Sequence, residues 1–311
     1  MTLFNTIIAI AATVSLFIFS LKGFSKELQH LGAERLKKWL SRITANRMFG
    51  FLLGALLTAL IQSSSAVTSI TVGLVDSGII SFFNSLSVLV GANLGTTFTA
   101  WLVAFKLDNL GSILLVIAMV VSFIPGKIHL IGKSFFYLGL LLFSLQQINI
   151  VLKPLSGDAD VIKWMAQADF IPVGVLAGTI VTAVLQSSSV TTGLSIVLVS
   201  QGVLSVQGAI AVVVGCNLGT TTTAIIASLS LSKTAKSVAV ANVLLNLAGL
   251  LVFLPFIKPL TTFIQGLESE TTYQVATAHL VFNLIVAAIA LPLLTPFSKL
   301  VLRVTGNGSV Q

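Results

Sequence analysis

The segment QSSSAVTSITVGLVDSG at 62–78 returns as QSSSVTTGLSIVLVSQG at 186–202, and GANLGTTFTA at 91–100 returns as GCNLGTTTTA at 215–224. The offset is 124 residues both times, with no gap between. Setting 54–100 against 178–224 leaves 22 of 47 positions identical. The match weakens but continues upstream, where LFIFSL at 16–21 faces LLLFSL at 140–145. The chain is therefore two copies of one unit followed by a tail, and its fold must accommodate the same pattern twice.

That pattern belongs to a membrane. Of 311 residues, 56% are hydrophobic and 8% charged, where a soluble domain carries about 25% charged residues. Apolar runs near the ~20 residues that cross a bilayer recur along the chain. Each copy reads as a span (about 3–21 or 132–151), a charged linker, and the QSSS segment (49–77 or 173–201). A span containing NLGTT follows (about 84–105 or 207–230), then another (about 110–126 or 236–257). A last span, about 272–296, has no partner in the first copy. The expected units are 1–127, 128–258 and a tail, 259–311. No basic residue precedes the first stretch, which is expected to be a retained helix rather than a cleaved signal. The linker 22–48 places Phe24, Leu28, Leu31, Leu36, Leu40 and Ile43 at helical spacing among Lys, Arg and Glu, as an amphipathic helix at the membrane surface would. The net charge of +8 falls in short loops, which argues against a nucleic-acid partner. The single cysteine, Cys216, rules out an internal disulfide.

Whether the QSSS segment crosses the membrane or dips in and returns decides the architecture. Re-entry with an outside N-terminus puts 13 of the 17 Lys and Arg inside and 4 outside; crossing puts 14 and 3, so the positive-inside rule does not separate the two. The paired linkers do: residues 22–48 carry seven basic and two acidic residues, and 152–170 carry two and three. Such unlike linkers fit opposite sides. Four consecutive polar residues also fill more than one helical turn, so a continuous helix would turn some of them to lipid. A hairpin tip exposes all of them to an interior. The expectation is an all-α polytopic membrane protein of two inverted repeats, each with a re-entrant hairpin, plus an extra C-terminal helix: about seven transmembrane helices and two hairpins. Glycines flanking NLGTT also predict a broken helix there.

Serine and threonine in membrane helices usually back-bond to the chain or bridge helices. That reading does not account for QSSS standing twice, each time 29 residues before G-x-N-L-G-T-T, with Asn93, Thr96 and Thr97 recurring as Asn217, Thr220 and Thr221. The inferred core is uncharged but dense in hydroxyls, amides and helix ends. Helix N-termini bind oxyanions, and hydroxyl and carboxamide oxygens suit hard cations such as Na⁺. A neutral site taking both describes a cation-coupled anion symporter. Proton coupling would need a titratable core group, for which His279 and, less well, Asp76 are the candidates. AVANVLLNL at 239–247 also resembles ATAHLVFNL at 276–284, aligning Asn242 with His279 and Asn246 with Asn283 as supporting residues. An intramembrane serine hydrolase would need a base, and only His279 is available; nothing in that chemistry requires two QSSS copies. We therefore expect no enzyme.

On these paired motifs, and on ERLKKWLSRITANRMFGFLLGALLTALIQSSS and GLLLFSL, residues 14–300 resemble the type II (solute carrier 34) sodium/phosphate cotransporters and their bacterial branch. The resemblance implies Na⁺-driven movement of inorganic phosphate by alternating access across a bacterial inner membrane, with no cofactor beyond the coupling ion. It implies phosphate held by Gln62, Ser63, Ser64 and Ser65 with Gln186, Ser187, Ser188 and Ser189, to which we add Asn93 and Asn217. It implies a sodium site of Gln186, Ser187, Thr220, Thr223 and the Val184 carbonyl, to which we add Thr96, Thr97 and Thr221. Cys216 stands where animal members commonly have serine, and Asn242 where bacterial relatives often have histidine. Many bacterial relatives append a soluble regulatory domain, which is not expected in a chain ending at Gln311, and the direction of transport stays open. Another small oxyanion or acid on the same scaffold is the alternative.

Overall fold

A computed structural model describes residues 3–40, 46–105, 109–123 and 128–307. Among the described residues every regular element is helical. In chain order they are α1 (Leu3–Leu40), α2 (Arg47–Ile61), α3 (Ser64–Asp76), α4 (Phe82–Ala104), α5 (Leu110–Ser122), α6 (Ile128–Leu152) and α7 (Ala159–Met165). Then come α8 (Ile171–Leu185), α9 (Ser188–Ser200), α10 (Val206–Gly219), α11 (Thr221–Ser228), α12 (Lys233–Phe253), α13 (Ile257–Leu267) and α14 (Thr271–Val304).

Six of the described segments are long and apolar enough to cross a membrane: 5–30, 82–104, 132–155, 206–228, 233–267 and 271–304. The expected seventh span is α5, whose 13 residues reach only about 20 Å. Residues 124–127 of that span lie outside the described ones. The linker after the first span is helical, as its spacing predicts, but it continues α1 without a break to Leu40 instead of forming a separate element. Residues 41–45 lie outside the described ones. The NLGTT span breaks at Thr220 in the second copy, between α10 and α11, whereas its counterpart α4 is continuous.

The repeat is visible in the caps. Ser81 and Ser205, 124 apart, each accept an N–H of the helix they start, from Asn84 at 3.2 Å and Gly208 at 3.0 Å. Gly78 and Gly202 precede them at φ +72° and +67°, the left-handed conformation that glycine takes without strain and that turns the chain out of each hairpin.

Contacts at the two hairpin bases fix the hairpins and their sense. Arg47, at the start of α2, donates to Thr295 Oγ1 and lies over the Phe83 ring. Asp76, at the end of α3, accepts the Ser232 N–H at 2.8 Å and shares a cleft of ≈ 890 Å³ with Phe82, Phe83, Lys299 and Arg303. Both ends of α2–α3 therefore sit at the start of α4, and the segment enters and leaves on one side. The second hairpin ends at the opposite level. Ser200 and Gln201 donate to Asn149 Oδ1 near the end of α6, and share a cleft with Ala104, Phe105 and Thr272. Thr272 in turn reaches the Ala104 carbonyl. The two hairpin bases lie at opposite ends of α4 and α14, so the repeats are inverted.

Gly91 lets α4 lie against α2, and Gly215 lets α10 lie against α8. A Cβ on either would collide with a backbone carbonyl, that of Phe51 or of Val175. These contacts run parallel, 51 beside 91 and 55 beside 95, so each hairpin's first arm climbs its repeat's NLGTT span and carries the tip inward. Apolar side chains fill the rest in three clusters, around Leu86 and Leu89, around Ile210 and Phe282, and around Phe17 and Leu141.

Candidate functional site: two hairpin tips at the middle of the bundle

Each tip has the same backbone. Gln62 ends α2 at φ 59°, ψ 29°, and Gln186 ends α8 at φ 54°, ψ 32°. The next residue, Ser63 or Ser187, is extended and N-caps the following helix. Its hydroxyl accepts from Ala66 N (3.2 Å) or Val190 N (3.4 Å). Ser64 and Ser65, like Ser188 and Ser189, are then the first two residues of a helix. Their N–H groups have no carbonyl partner within that helix. A non-glycine residue in the left-handed region is uncommon, and both copies place one at the same point.

The tips meet. The Thr99 hydroxyl, on α4, donates to Gln62 Oε1 at 2.9 Å, and the Ser189 hydroxyl donates to Thr99 Oγ1 at 3.3 Å. One threonine thus joins the first tip to the second. The Ser65 hydroxyl faces the Gln186 carbonyl at 3.5 Å. Gln62 is buried, 6% exposed, and its Nε2 donates to the Ala59 carbonyl. Gln186 is exposed. A second inequality lies one turn lower, where Thr182 donates to Thr191 Oγ1 at 2.9 Å. Its counterpart Thr58 has no partner among the described residues, because Val67 stands where Thr191 would be.

The other expected residues divide by role. The hydroxyls of Thr96, Thr97, Thr220, Thr221 and Thr223 donate to carbonyls of their own span: Ala92, Leu94, Cys216, Leu218 and Thr220. Their protons are engaged, which leaves oxygen lone pairs for an electron-poor ligand. The Val184 carbonyl is among the last of α8, which have no acceptor role within the helix. Asn93 and Asn217 sit in amide pairs. Asn93 Nδ2 donates to Asn246 Oδ1 at 2.9 Å, and Asn217 Nδ2 to Asn283 Oδ1 at 2.8 Å. Asn246 Nδ2 returns to the Asn242 carbonyl, and Asn283 Nδ2 to the His279 carbonyl. The alignment of 239–247 with 276–284 is therefore a structural equivalence: α12 serves α4 as α14 serves α10.

His279 is 1% exposed, with neither ring nitrogen partnered among the described residues. Asn242, in the equivalent place, uses its Oδ1 to accept Asn246 Nδ2 at 3.1 Å. An amide at 279 takes for Asn283 Nδ2 the acceptor role that Asn242 Oδ1 has for Asn246, and replaces a ring whose nitrogens are unpartnered, so His279→Asn should shift thermal stability by less than about 1 kcal/mol. Asn283→Leu, which strips Asn217 Nδ2 of its acceptor, should cost about 1–3 kcal/mol. Melting of the purified variants in detergent checks both. Asp76 lies at the hairpin base, exposed, and the Ser232 N–H holds its carboxyl below the ordinary carboxylate range.

Thr99 is the site residue that motif reading passed over. Its signal was present: it is the 124-offset partner of Thr223. It lies two positions beyond the GTT that drew attention.

Inverted repeats with hairpin tips meeting inside a helical bundle define a multi-pass membrane transporter. Comparison with known proteins names the family: residues 16–149 and 160–291 match the profile described as Na+/Pi-cotransporter, and the chain belongs to that family. It is 30% identical over 269 residues to the uncharacterized protein YqeW of Bacillus subtilis, covering 85% of this chain and 87% of that protein. It is 27% identical over 266 residues to YjbB of Salmonella typhimurium, named provisionally as an inorganic phosphate export protein; there it covers 84% of this chain but 49% of the relative. Against the human sodium-dependent phosphate transport protein 2B it is 36% identical over 90 residues, 28% of this chain and 13% of the relative. No solved structure matches the chain.

Proposed function

We propose that this protein moves inorganic phosphate across a bacterial inner membrane in symport with Na⁺, by alternating access around the two hairpin tips. The observation that carries this reading is the meeting of two helix N-termini, at Ser64–Ser65 and Ser188–Ser189, with hydroxyls and carboxamides around them. Unpaired N–H groups at two helix starts suit an oxyanion. Hydroxyl oxygens whose protons are already engaged suit Na⁺, whose charge would offset that of phosphate. Family membership supports both cargoes, and relatives named for sodium-dependent phosphate transport and for phosphate export support phosphate in either direction.

Charge assigns the sides. Arg47, Lys233, Lys236, Lys299 and Arg303 lie at the face where the first hairpin is based. The opposite face carries Lys153, Lys163 and Lys258 among Asp158, Asp160, Asp169, Glu268 and Glu270. By the positive-inside rule the first hairpin enters from the cytoplasm and the second from outside.

The test is uptake of labelled phosphate into proteoliposomes with and without an inward Na⁺ gradient. Uptake stimulated by Na⁺ is expected, and no stimulation would sink the reading; arsenate and sulfate as competitors test the alternative cargo. Ser64→Ala and Ser188→Ala should each weaken Na⁺-dependent phosphate binding in calorimetry by about tenfold, the loss of one hydrogen bond to a charged ligand.

A further inference from the structure

The two repeats share a tip sequence, yet the described arrangement does not treat the tips alike. Thr99 holds the first tip through Gln62 Oε1 and receives Ser189 from the second. Its repeat partner Thr223 holds no tip. Its hydroxyl donates at 2.7 Å to the Thr220 carbonyl, one turn back on its own span. Gln62 is buried and Gln186 is exposed. Yet the sequence supplies every residue of the mirrored linkage: Thr223 for Thr99, Gln186 for Gln62, and Ser65 for Ser189. Ser65 already faces the second tip, 3.5 Å from the Gln186 carbonyl.

We infer that Thr99 and Thr223 are exchanging latches: the conformation opposite to the one described is reached when Thr223 takes Gln186 Oε1 and Ser65 while Thr99 releases Gln62 and Ser189. Two repeats that share their tip and latch residues yet adopt unlike arrangements point to a second state in which the arrangements are traded. The two states differ in few bonds, because each latch replaces the other. A threonine freed from a tip is not left unsatisfied, since Thr223 shows where its proton goes, to the carbonyl three residues earlier. For Thr99 that acceptor is the Thr96 carbonyl. The hydroxyl is therefore partnered in both states, and the switch avoids the penalty of a buried unmade hydrogen bond. Thr99 and Thr223 act here as positioning residues for the tips. The inference deepens the proposed transport cycle and rests on the alternating-access part of it.

Hydrogen–deuterium exchange of the purified full chain in detergent, without phosphate or Na⁺, separates this from a local structural role. Thr99→Val removes the hydroxyl at nearly constant volume. Amides at 62–67 are expected to exchange about fivefold faster and those at 186–191 about fivefold slower, as the population moves to the Thr223-latched state. Thr99→Ser should restore both patterns. Faster exchange at 62–67 with 186–191 unchanged or also faster would overturn the exchange and leave Thr99 as a simple brace. Because no cargo is present, this outcome is independent of whether Na⁺ drives phosphate uptake. A thermal melt of each variant establishes that it is folded.

Discussion

Gln62→Glu is expected to destabilise the protein by about 3–5 kcal/mol, enough to lower its yield and melting temperature sharply, whereas Gln186→Glu shifts stability by about 0.5 kcal/mol. The two glutamines precede the same three serines and have nearly the same backbone angles. What separates them is surroundings. Gln62 is 6% exposed, with Nε2 given to the Ala59 carbonyl and Oε1 receiving Thr99. A carboxylate keeps the second bond and loses the first, setting a negative oxygen against a carbonyl oxygen in a low-dielectric interior. Gln186 is exposed and its side chain makes no hydrogen bond among the described residues, so a carboxylate there breaks none. Melting of the two variants side by side measures the difference. Equal losses would mean that the tips are equally buried.

The second large effect falls on the helix contacts beneath the tips. Gly91→Ala and Gly215→Ala should each cost about 2–3 kcal/mol, because the added methyl meets backbone, which cannot rotate away. Gly73→Ala, inside α3 with nothing within 4 Å of the new Cβ, should instead stabilise by about 0.5–1 kcal/mol. One substitution thus has opposite signs at positions that composition and helix membership do not distinguish. Chemical or thermal unfolding of the three variants checks the order.

The hairpins show how far pattern reading carries in this chain. Polar residues in an apolar run, twice at one offset, implied tips; the unlike charges of the paired linkers implied opposite entry. Both follow from the cost of placing polar groups and positive charge on the wrong side of a boundary, and that cost acts on sequence directly. The alignment of Asn242 with His279 and of Asn246 with Asn283 was readable for the same reason: buried amides need partners, and a repeated partner leaves a repeated residue. Thr99 escaped because its motif copy, TTFT against TTTT, looked like a weaker version of the second. The continuity of α1 through Leu40 was also not legible, since periodicity reports a helix without reporting whether it joins its neighbour.

The sequence by itself determined an all-helical membrane chain, its duplication and the two polar tips, because hydropathy, charge and repetition are properties of the chain. Only the tertiary structure decided which threonine joins the tips, which glutamine is covered and which asparagines spend their amides on each other. Those outcomes depend on distances between helices far apart in the chain, and two copies of one sequence can satisfy them unequally.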